Sequence, residues 1–97
     1  MKASTTVSDP ANQELAALAK AVAHPARMRI LRILERRTSC TCGEIVDELP
    51  LAQSTVSQHL KVMKDAGLLS AEADGTRVCY RIDMDALRRL RALVGDL

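Results

Sequence analysis

Three cysteines are the side chains of this 97-residue chain that are best suited to bind a soft ion or to be oxidised. Cys40 and Cys42 form a Cys-x-Cys pair, and Cys79 stands alone in a later segment. The pair lies just before, or in the first turn of, a predicted helix, where free backbone amides and the helix dipole stabilise negative charge. We therefore expect lowered thiol pKa values at this pair. The resulting thiolates favour soft ions, including Zn(II), Cu(I) and trivalent arsenic or antimony.

A second set of residues has the spacing of two short helices joined by a tight link. The stretch Glu44 to Gly67 contains two helical patterns, and Pro50 ends the first of them. The second pattern places Val56, Leu60 and Met63 on one apolar stripe, three and four residues apart. This arrangement predicts a helix-turn-helix whose second helix is anchored along that stripe.

The face opposite that stripe carries hydroxyl, amide and cationic side chains. Ser, Thr and Gln side chains can address base edges and phosphates in the major groove. We predict a recognition helix over Ser54 to Ala66. The predicted DNA contacts are Gln53, Ser54, Thr55, Ser57, Gln58, His59, Lys61 and Lys64. An ordinary helical core with a solvated polar face is the alternative that this spacing alone leaves open.

A two-stranded hairpin is predicted after the recognition helix. Residues 69–74 alternate apolar and polar side chains, Asp74-Gly75 has the composition of a hairpin turn, and residues 78–82 alternate again. Tyr80 is expected to face inward. Helices, a helix-turn-helix and then a hairpin with Arg77 near its tip are the order of a winged helix, in which the wing contacts the DNA backbone or the minor groove. The hairpin therefore favours DNA binding.

The remaining helices are predicted at the two ends of the chain and before the helix-turn-helix. Asp9-Pro10 signals the start of the first helix, and Pro25 opens a second, apolar one in which His24 is expected to cap or pack. The segment Met84 to Leu97 is amphipathic and rich in Leu, so it either completes the core or meets its counterpart in a second subunit. A symmetric dimer through the first and last helices would present two recognition helices to a palindromic site.

Composition sets the class of protein. One Tyr and no Phe or Trp require an aliphatic core, and the length predicts one domain, residues 9–97, after a flexible tail, residues 1–8. The fold class predicted is mainly α (α+β), a winged helix-turn-helix with about five helices and a two-stranded β-hairpin. A net charge of +2 says little about partners, but five arginines between Pro25 and Thr38 predict a basic surface beside the recognition helix.

Several classes of protein are disfavoured by the same sequence. It contains no apolar run of membrane-spanning length and no signal-peptide pattern, so we predict a cytoplasmic protein without membrane contact. An odd number of cysteines in a reducing compartment argues against a disulfide framework. It also has no paired carboxylates in a cleft pattern, no phosphate-binding glycine loop and no Ser-His-acid arrangement. We therefore predict that the protein is not an enzyme and needs no obligatory cofactor.

Five short motifs occur in order along the chain: residues 24–31 (HPARMRIL), the Cys-x-Cys at 40 and 42, residues 54–60 (STVSQHL), residues 66–68 (AGL) and residues 75–81 (GTRVCYR). Together they resemble the ArsR/SmtB-type family of metal- and metalloid-responsive winged-helix repressors over roughly residues 12–95. The resemblance implies a homodimer joined through its first and last helices, which binds an operator when unliganded and leaves it when an inducer binds. It also implies that residues 54, 55, 57, 58 and 59 contact DNA with support from the wing near Arg77.

Two departures from the family pattern stand out. Many relatives have a Ser that caps the recognition helix where this chain has Ala52. The family's inducer site is a Cys-x-Cys at this helix, often binding As(III) through three sulfurs, but the position of the third Cys in the arsenical repressors is Ile45 here. Cys79 is the only other thiol, and an ordinary small strand residue is the alternative role for it.

The best hypothesis from the sequence is a homodimeric operator-binding repressor that is released when As(III) or another thiophilic metal binds Cys40, Cys42 and Cys79. Three alternatives remain open at this point. The thiols could sense oxidation instead of metals, the regulator could have no small-molecule input, or the domain could be an interaction module that does not bind DNA.

Overall fold

Five helices and three strands follow one another in the computed structural model, which describes residues 9–97. They are α1 Pro10–Lys20, α2 Pro25–Arg37, β1 Cys40–Thr41, α3 Cys42–Val46, α4 Gln53–Asp65, β2 Leu69–Asp74, β3 Arg77–Ile82 and α5 Met84–Gly95. This order confirms the predicted five-helix winged helix-turn-helix. Residues 1–8, which we predicted to be a flexible tail, lie outside the described residues.

Helices α1 and α2 begin at capping residues that the sequence indicates. Asp9 accepts a hydrogen bond from the amide of Ala11 at 2.8 Å, and Pro10 occupies the first turn of α1. His24 caps α2 in the same way, because its Nδ1 accepts the amide of Ala26 at 3.0 Å. Each cap satisfies one backbone donor that the first helical turn leaves without a partner.

The core is aliphatic, as predicted, and α2 lies at its centre. Ile30, Ile33 and Leu34 of α2 are buried together with residues from α3, α4 and the sheet. From α4 the fully buried side chains are Val56, Leu60 and Met63, which are the predicted apolar stripe. Tyr80 is half-buried and packs against this core, which confirms its inward orientation.

The sheet has three strands in the order β1-β3-β2, so the predicted two-stranded hairpin gains a third strand. The hairpin itself pairs Leu69 with Ile82 and Asp74 with Arg77. β1 adds to the other edge of β3, because Thr38 adopts a left-handed backbone with φ of 69° and turns the chain from α2 toward the wing. A two-residue strand shows no alternation, which is why its sequence pattern is not recognisable.

The two end helices pack against each other and form a second, smaller cluster. Leu18 of α1 is buried against Leu90 and Leu93 of α5. Arg89 of α5 donates two hydrogen bonds to the carboxylate of Glu14, each 2.9 Å long. α5 thus completes part of the core within one chain, and its other side remains open. None of the helices in residues 9–97 has the length and apolar character needed to cross a membrane.

Candidate nucleic-acid interface and thiol site

The polar face of α4 is open to solvent along most of its length. Its buried stripe faces α2 and α3, so the residues between the stripe positions point outward. Thr55 and His59 are half-buried. The exposed members of the predicted DNA-binding set on this helix are Gln53, Ser54, Ser57, Gln58, Lys61 and Lys64. These side chains form a continuous surface of hydroxyl, amide and ammonium groups, which we call the polar face of α4.

The start of α4 has no side-chain cap. Ala52 occupies the N-cap position and makes no hydrogen bond through its side chain, as expected for an alanine there. The first amides of α4 therefore have no acceptor from the capping side chain. Backbone amides at a helix N-terminus can donate to a phosphate, so this end of α4 is suited to meet a DNA backbone.

His59 is the member of the predicted DNA-binding set whose surroundings differ most from expectation. Its Nδ1 accepts a hydrogen bond from Nε of Arg27 at 3.2 Å, and its ring centroid lies 4.5 Å from that of His24. Burial, followed by the neighbouring His24 and Arg27, lowers the pKa of His59. The side chain is therefore held against α2 in the described residues, and its predicted contact with DNA remains a prediction.

The two lysines of the polar face differ in their partners. Lys61 makes an ion pair with Asp65 at 2.8 Å, which raises the pKa of the lysine and lowers that of the aspartate. Lys64 forms no ion pair among residues 9–97. Because an exposed pair four residues apart contributes little stability, Lys61 can exchange Asp65 for a phosphate at small cost.

Three of the five arginines in the predicted basic surface on α2 already have hydrogen-bond partners within the described residues. Arg36 and Arg37 each donate to Glu48 at 2.8 Å, and Arg27 donates to His59 and to the carbonyl oxygen of Lys20. Arg29 and Arg32 are exposed and form no ion pair within the described part of the chain. Arg36 and Arg37 are therefore engaged by Glu48, and their contribution to a surface for phosphates stays a prediction.

The wing and Cys42 line the same open groove. Arg77 is exposed at the start of β3, and its charge contributes to the lowered pKa of Glu44 at the start of α3. Cys42, Asp47 and Tyr80 line the groove with them. A ligand at Cys42 would therefore lie beside the residue through which the wing is predicted to contact DNA.

Cys40 and Cys42 occupy different environments although only Thr41 separates them. Cys40 is fully buried in β1, whereas Cys42 is half-buried at the first position of α3. Burial raises the pKa of both thiols, although the charge of Arg37 acts in the opposite direction at Cys40. Our expectation of lowered pKa values is wrong, because loss of water around the thiolate outweighs the start of a five-residue helix.

The register of the sheet brings Cys79 close to the pair without completing a cluster. Cys79 lies opposite Thr41, and Tyr80 lies opposite Cys40. Because paired residues share a face and successive residues alternate, Cys79 and Cys40 project from opposite faces of the sheet. Within residues 9–97 no three His, Cys, Asp or Glu side chains are grouped closely enough to hold a metal ion. The assignment of these three cysteines to one metal site stays a prediction.

A capping box connects the thiol pair to α3. The hydroxyl oxygen of Thr41 accepts the amide of Glu44 at 3.2 Å, and the Glu44 carboxylate accepts the amide of Thr41 at 2.8 Å. These reciprocal bonds join Thr41, which precedes Cys42, to Glu44, which lies two residues after it. The bond from the Thr41 amide is the largest cause of the lowered pKa of Glu44. Movement of Cys42 would therefore disturb the first turn of α3.

Known proteins share both the sequence pattern and this arrangement. A helix-turn-helix domain family matches residues 22–70. An uncharacterized HTH-type transcriptional regulator of Methanocaldococcus jannaschii is 37% identical over 86 residues, which cover 88% of this chain and 96% of that protein. The crystal structure of a possible transcriptional regulator for arsenical resistance is 34% identical with a TM-score of 0.74, over 82% of this chain and 81% of that chain. The chain belongs to the ArsR/SmtB-type family of winged-helix transcriptional regulators.

A further solved relative of this ArsR/SmtB-type regulator is the homodimeric winged helix-turn-helix DNA-binding domain of a possible ArsR-family transcriptional regulator from Mycobacterium bovis. It is 28% identical with a TM-score of 0.75, and the match covers 99% of this chain and 91% of that one. These relatives are regulators of transcription, a non-enzymatic class, which agrees with the prediction that the protein is not an enzyme.

Sequence reasoning missed three features that position the site of this ArsR/SmtB-type regulator. The capping box had a readable signal, because Thr41 and Glu44 have the S/T-x-x-E spacing. The clamp of Glu48 on Arg36 and Arg37 joins residues 11 and 12 apart along the chain and had no such signal. The contact between Arg27 and His59 joins residues 32 apart along the chain, and it likewise had no signal in the sequence.

Proposed function

We propose that this regulator is a homodimeric repressor that binds operator DNA through the polar face of α4, with the wing near Arg77 as a second contact. The observation that carries the proposal is the division of α4 into a fully buried apolar stripe and an exposed polar face. Hydroxyl and amide groups on such a face can donate to and accept from base edges, and its lysines can neutralise phosphates.

The dimer in this proposal forms through α1 and α5. Their mutual packing leaves apolar groups on the outer side, because Val94 is 50% exposed and Leu97 is 90% exposed. Ala16 and Ala17 of α1 are exposed as well, and small side chains allow helices to approach closely. A small domain without Phe or Trp gains stability by burying such a surface against a second copy.

The inducer in this proposal is As(III) or another thiophilic metal ion bound by Cys42 and Cys40, with Cys79 as the candidate third ligand. Cys42 opens into the groove beside Arg77. Cys40 is buried, so β1 must separate from β3 before the Cys40 thiolate can bind the ion. The ion acts as an inducer because it binds the separated form more tightly than the paired one.

The route from the thiols to the DNA-binding surface runs through two packed contacts. β1 pairs with β3, which carries Arg77, and α3 packs directly on α4 through the core that contains Ile45 and Leu60. Opening β1 to bind an ion therefore removes support from the wing and from the recognition helix at once. Both changes weaken operator binding.

A titration on promoter DNA tests this function. The protein should shift a duplex from its own promoter region in a salt-sensitive manner, and Ser57→Ala with Gln58→Ala should abolish the shift. Ser39→Ala, in the link between α2 and β1 and outside both the polar face of α4 and the wing turn, serves as the matched control. Failure of the wild-type protein to bind any promoter duplex at low salt would contradict the DNA-binding proposal.

Titration with ions tests the inducer. Arsenite or Cd(II) should weaken operator binding of the wild-type protein, and Cys42→Ser should remove that response while binding without the ion persists. If hydrogen peroxide weakens binding and neither ion does, the metal proposal is wrong and the redox alternative below holds.

One observation favours a thiol-redox sensor as a second candidate. The ladder places Cys79 opposite Thr41, one position from Cys40, and a disulfide between Cys79 and Cys40 would require β1 to separate from β3 because the two side chains project from opposite faces. A disulfide needs only two thiols, whereas no metal-binding group of three is assembled in the described residues. In this reaction peroxide oxidises one thiol to a sulfenic acid and releases water. A second thiol then forms the disulfide and releases a second water. Mass spectrometry after peroxide treatment would identify the disulfide.

A further inference from the structure

His24, Arg27 and His59 form a cluster that joins the start of α2 to the middle of α4. Arg27 is at its centre, because Nε donates to Nδ1 of His59 at 3.2 Å and Nη1 donates to the carbonyl oxygen of Lys20 at the end of α1. The ring of His24 lies 4.5 Å from that of His59 with the planes tilted by 49°. We call these three residues the histidine latch.

Both imidazole rings of the histidine latch use Nδ1 as a hydrogen-bond acceptor. Nδ1 of His24 accepts the amide of Ala26 at 3.0 Å, and Nδ1 of His59 accepts from Arg27. An imidazole nitrogen accepts only when it carries no proton, so both rings are neutral in this arrangement. Protonation of His59 places a hydrogen on its Nδ1, which removes the bond between α2 and α4. It also places a cationic ring beside the Arg27 guanidinium.

No carboxylate in the described residues offsets these charges. The elements packed most extensively on α4 are α2, α3 and β2, and α1 lines a groove with it. Glu14 of α1 pairs with Arg89, and Glu35 of α2 pairs with Arg91. On α4 itself, Lys61 and Asp65 pair with each other. None of the acidic groups on or beside α3 and β2 makes an ion pair with the histidine latch among residues 9–97; these groups are Glu44, Asp47, Glu48, Glu72 and Asp74.

The surroundings of His59 favour its neutral form over its protonated form. Burial, His24 and Arg27 lower the pKa of His59, so the folded arrangement disfavours its protonated form. A histidine with a lowered pKa contributes stability that is present above its ordinary pKa of about 6.5 and is lost as the pH falls through the lowered value.

We propose that the histidine latch is a positioning device for the recognition helix, which holds α4 for DNA binding while the His59 ring is neutral and releases α4 when that ring is protonated. This inference rests on the proposed DNA-binding function. Operator affinity should therefore fall on acidification below pH 6.5. Simple phosphate attraction predicts the opposite, since a protonated His59 on the DNA-facing helix would add a positive charge and tighten binding.

Fluorescence anisotropy with a promoter duplex at constant ionic strength tests the histidine latch at pH 8.0 and pH 5.5. We expect the wild-type dissociation constant to rise about tenfold at the lower pH, which corresponds to ~1.4 kcal/mol. The double variant His24→Ser, His59→Gln should change by less than about twofold between the same pH values. The serine hydroxyl introduced by the first substitution can still cap α2, the glutamine carbonyl introduced by the second can still accept from Arg27, and neither group titrates.

Three results would overturn the histidine latch. They are a wild-type affinity that does not change with pH, one that increases at pH 5.5, or a double variant that follows the wild-type pH dependence. Each variant is compared with itself at two pH values, so a general loss of affinity from the substitutions does not affect the conclusion.

A measurement without DNA separates failure of the histidine latch from failure of the proposed function. Hydrogen exchange of the backbone amides of α4 reports the release of that helix directly. We expect their protection factors, which already correct for the intrinsic pH dependence of exchange, to fall between pH 8.0 and pH 5.5 in the wild-type protein but not in the double variant. If no duplex binds at pH 8.0 and this protection still falls, the histidine latch stands and the DNA-binding function fails. Protection that does not change with pH refutes the histidine latch whatever the DNA result.

Discussion

Replacing Cys40 by serine should destabilise the fold far more than the same change at Cys42. Cys40 has no exposed surface and lies within the apolar core, whereas Cys42 is half-buried beside a groove. A hydroxyl buried without a hydrogen-bond partner costs ~1–3 kcal/mol, so we expect Cys40→Ser to lower the free energy of unfolding by about 2 kcal/mol. For a domain of this size that corresponds to a decrease of roughly 10 °C in Tm. Cys42→Ser should cost less than about 0.5 kcal/mol.

Urea denaturation followed by circular dichroism measures this difference. The two variants and the wild-type protein are compared at one protein concentration and under reducing conditions, because the stability of a dimer depends on concentration. Cys40→Ala is the control, since it removes the thiol without burying a hydroxyl and should cost about 1 kcal/mol. Equal urea midpoints for Cys40→Ser and Cys42→Ser would refute the assignment of Cys40 to the core. The difference also matters for function, because an unresponsive Cys40→Ser protein could be a partly unfolded one.

Three further perturbations test the elements around the site. Ala52→Ser should stabilise the protein by about 1 kcal/mol in thermal unfolding, because it supplies the missing cap of α4, and an unchanged Tm would contradict the described helix start. Thr41→Ala should cost about 1 kcal/mol through loss of the capping box, whereas Thr41→Ser keeps the hydroxyl and should cost less than half as much. Arg36 and Arg37 lower the pKa of Glu48, so the stability from this contact is present above the ordinary pKa of about 4.3 and is lost as the pH falls through the lowered value. Wild-type unfolding should therefore depend more strongly on pH between 5 and 3 than that of Glu48→Gln, and identical profiles would show that the contact does not persist in solution.

Residue patterns within single segments were sufficient to predict most of the helices and strands. The caps at Asp9 and His24 and the apolar stripe from Val56 to Met63 depend on residues within a few positions of one another, so their consequences are readable along the chain. The alternation and turn of the wing are local for the same reason. The recognition helix began one residue earlier than predicted, at Gln53, which is the usual uncertainty of a helix end.

The environment of each functional side chain was decided by contacts between distant segments. The two cysteines of the Cys-x-Cys pair appeared equivalent in sequence, but pairing of β1 with β3 buries Cys40 and leaves Cys42 at a groove. Desolvation therefore raises the pKa of both thiols, whereas the helix start alone predicted lower values. His59 likewise belongs by spacing to the polar face, and only the packing of α2 on α4 places Arg27 against its Nδ1. Sequence therefore determined which elements form and which family the chain resembles. Tertiary structure decided burial and charge at each site, because both depend on neighbours that are far apart along the chain.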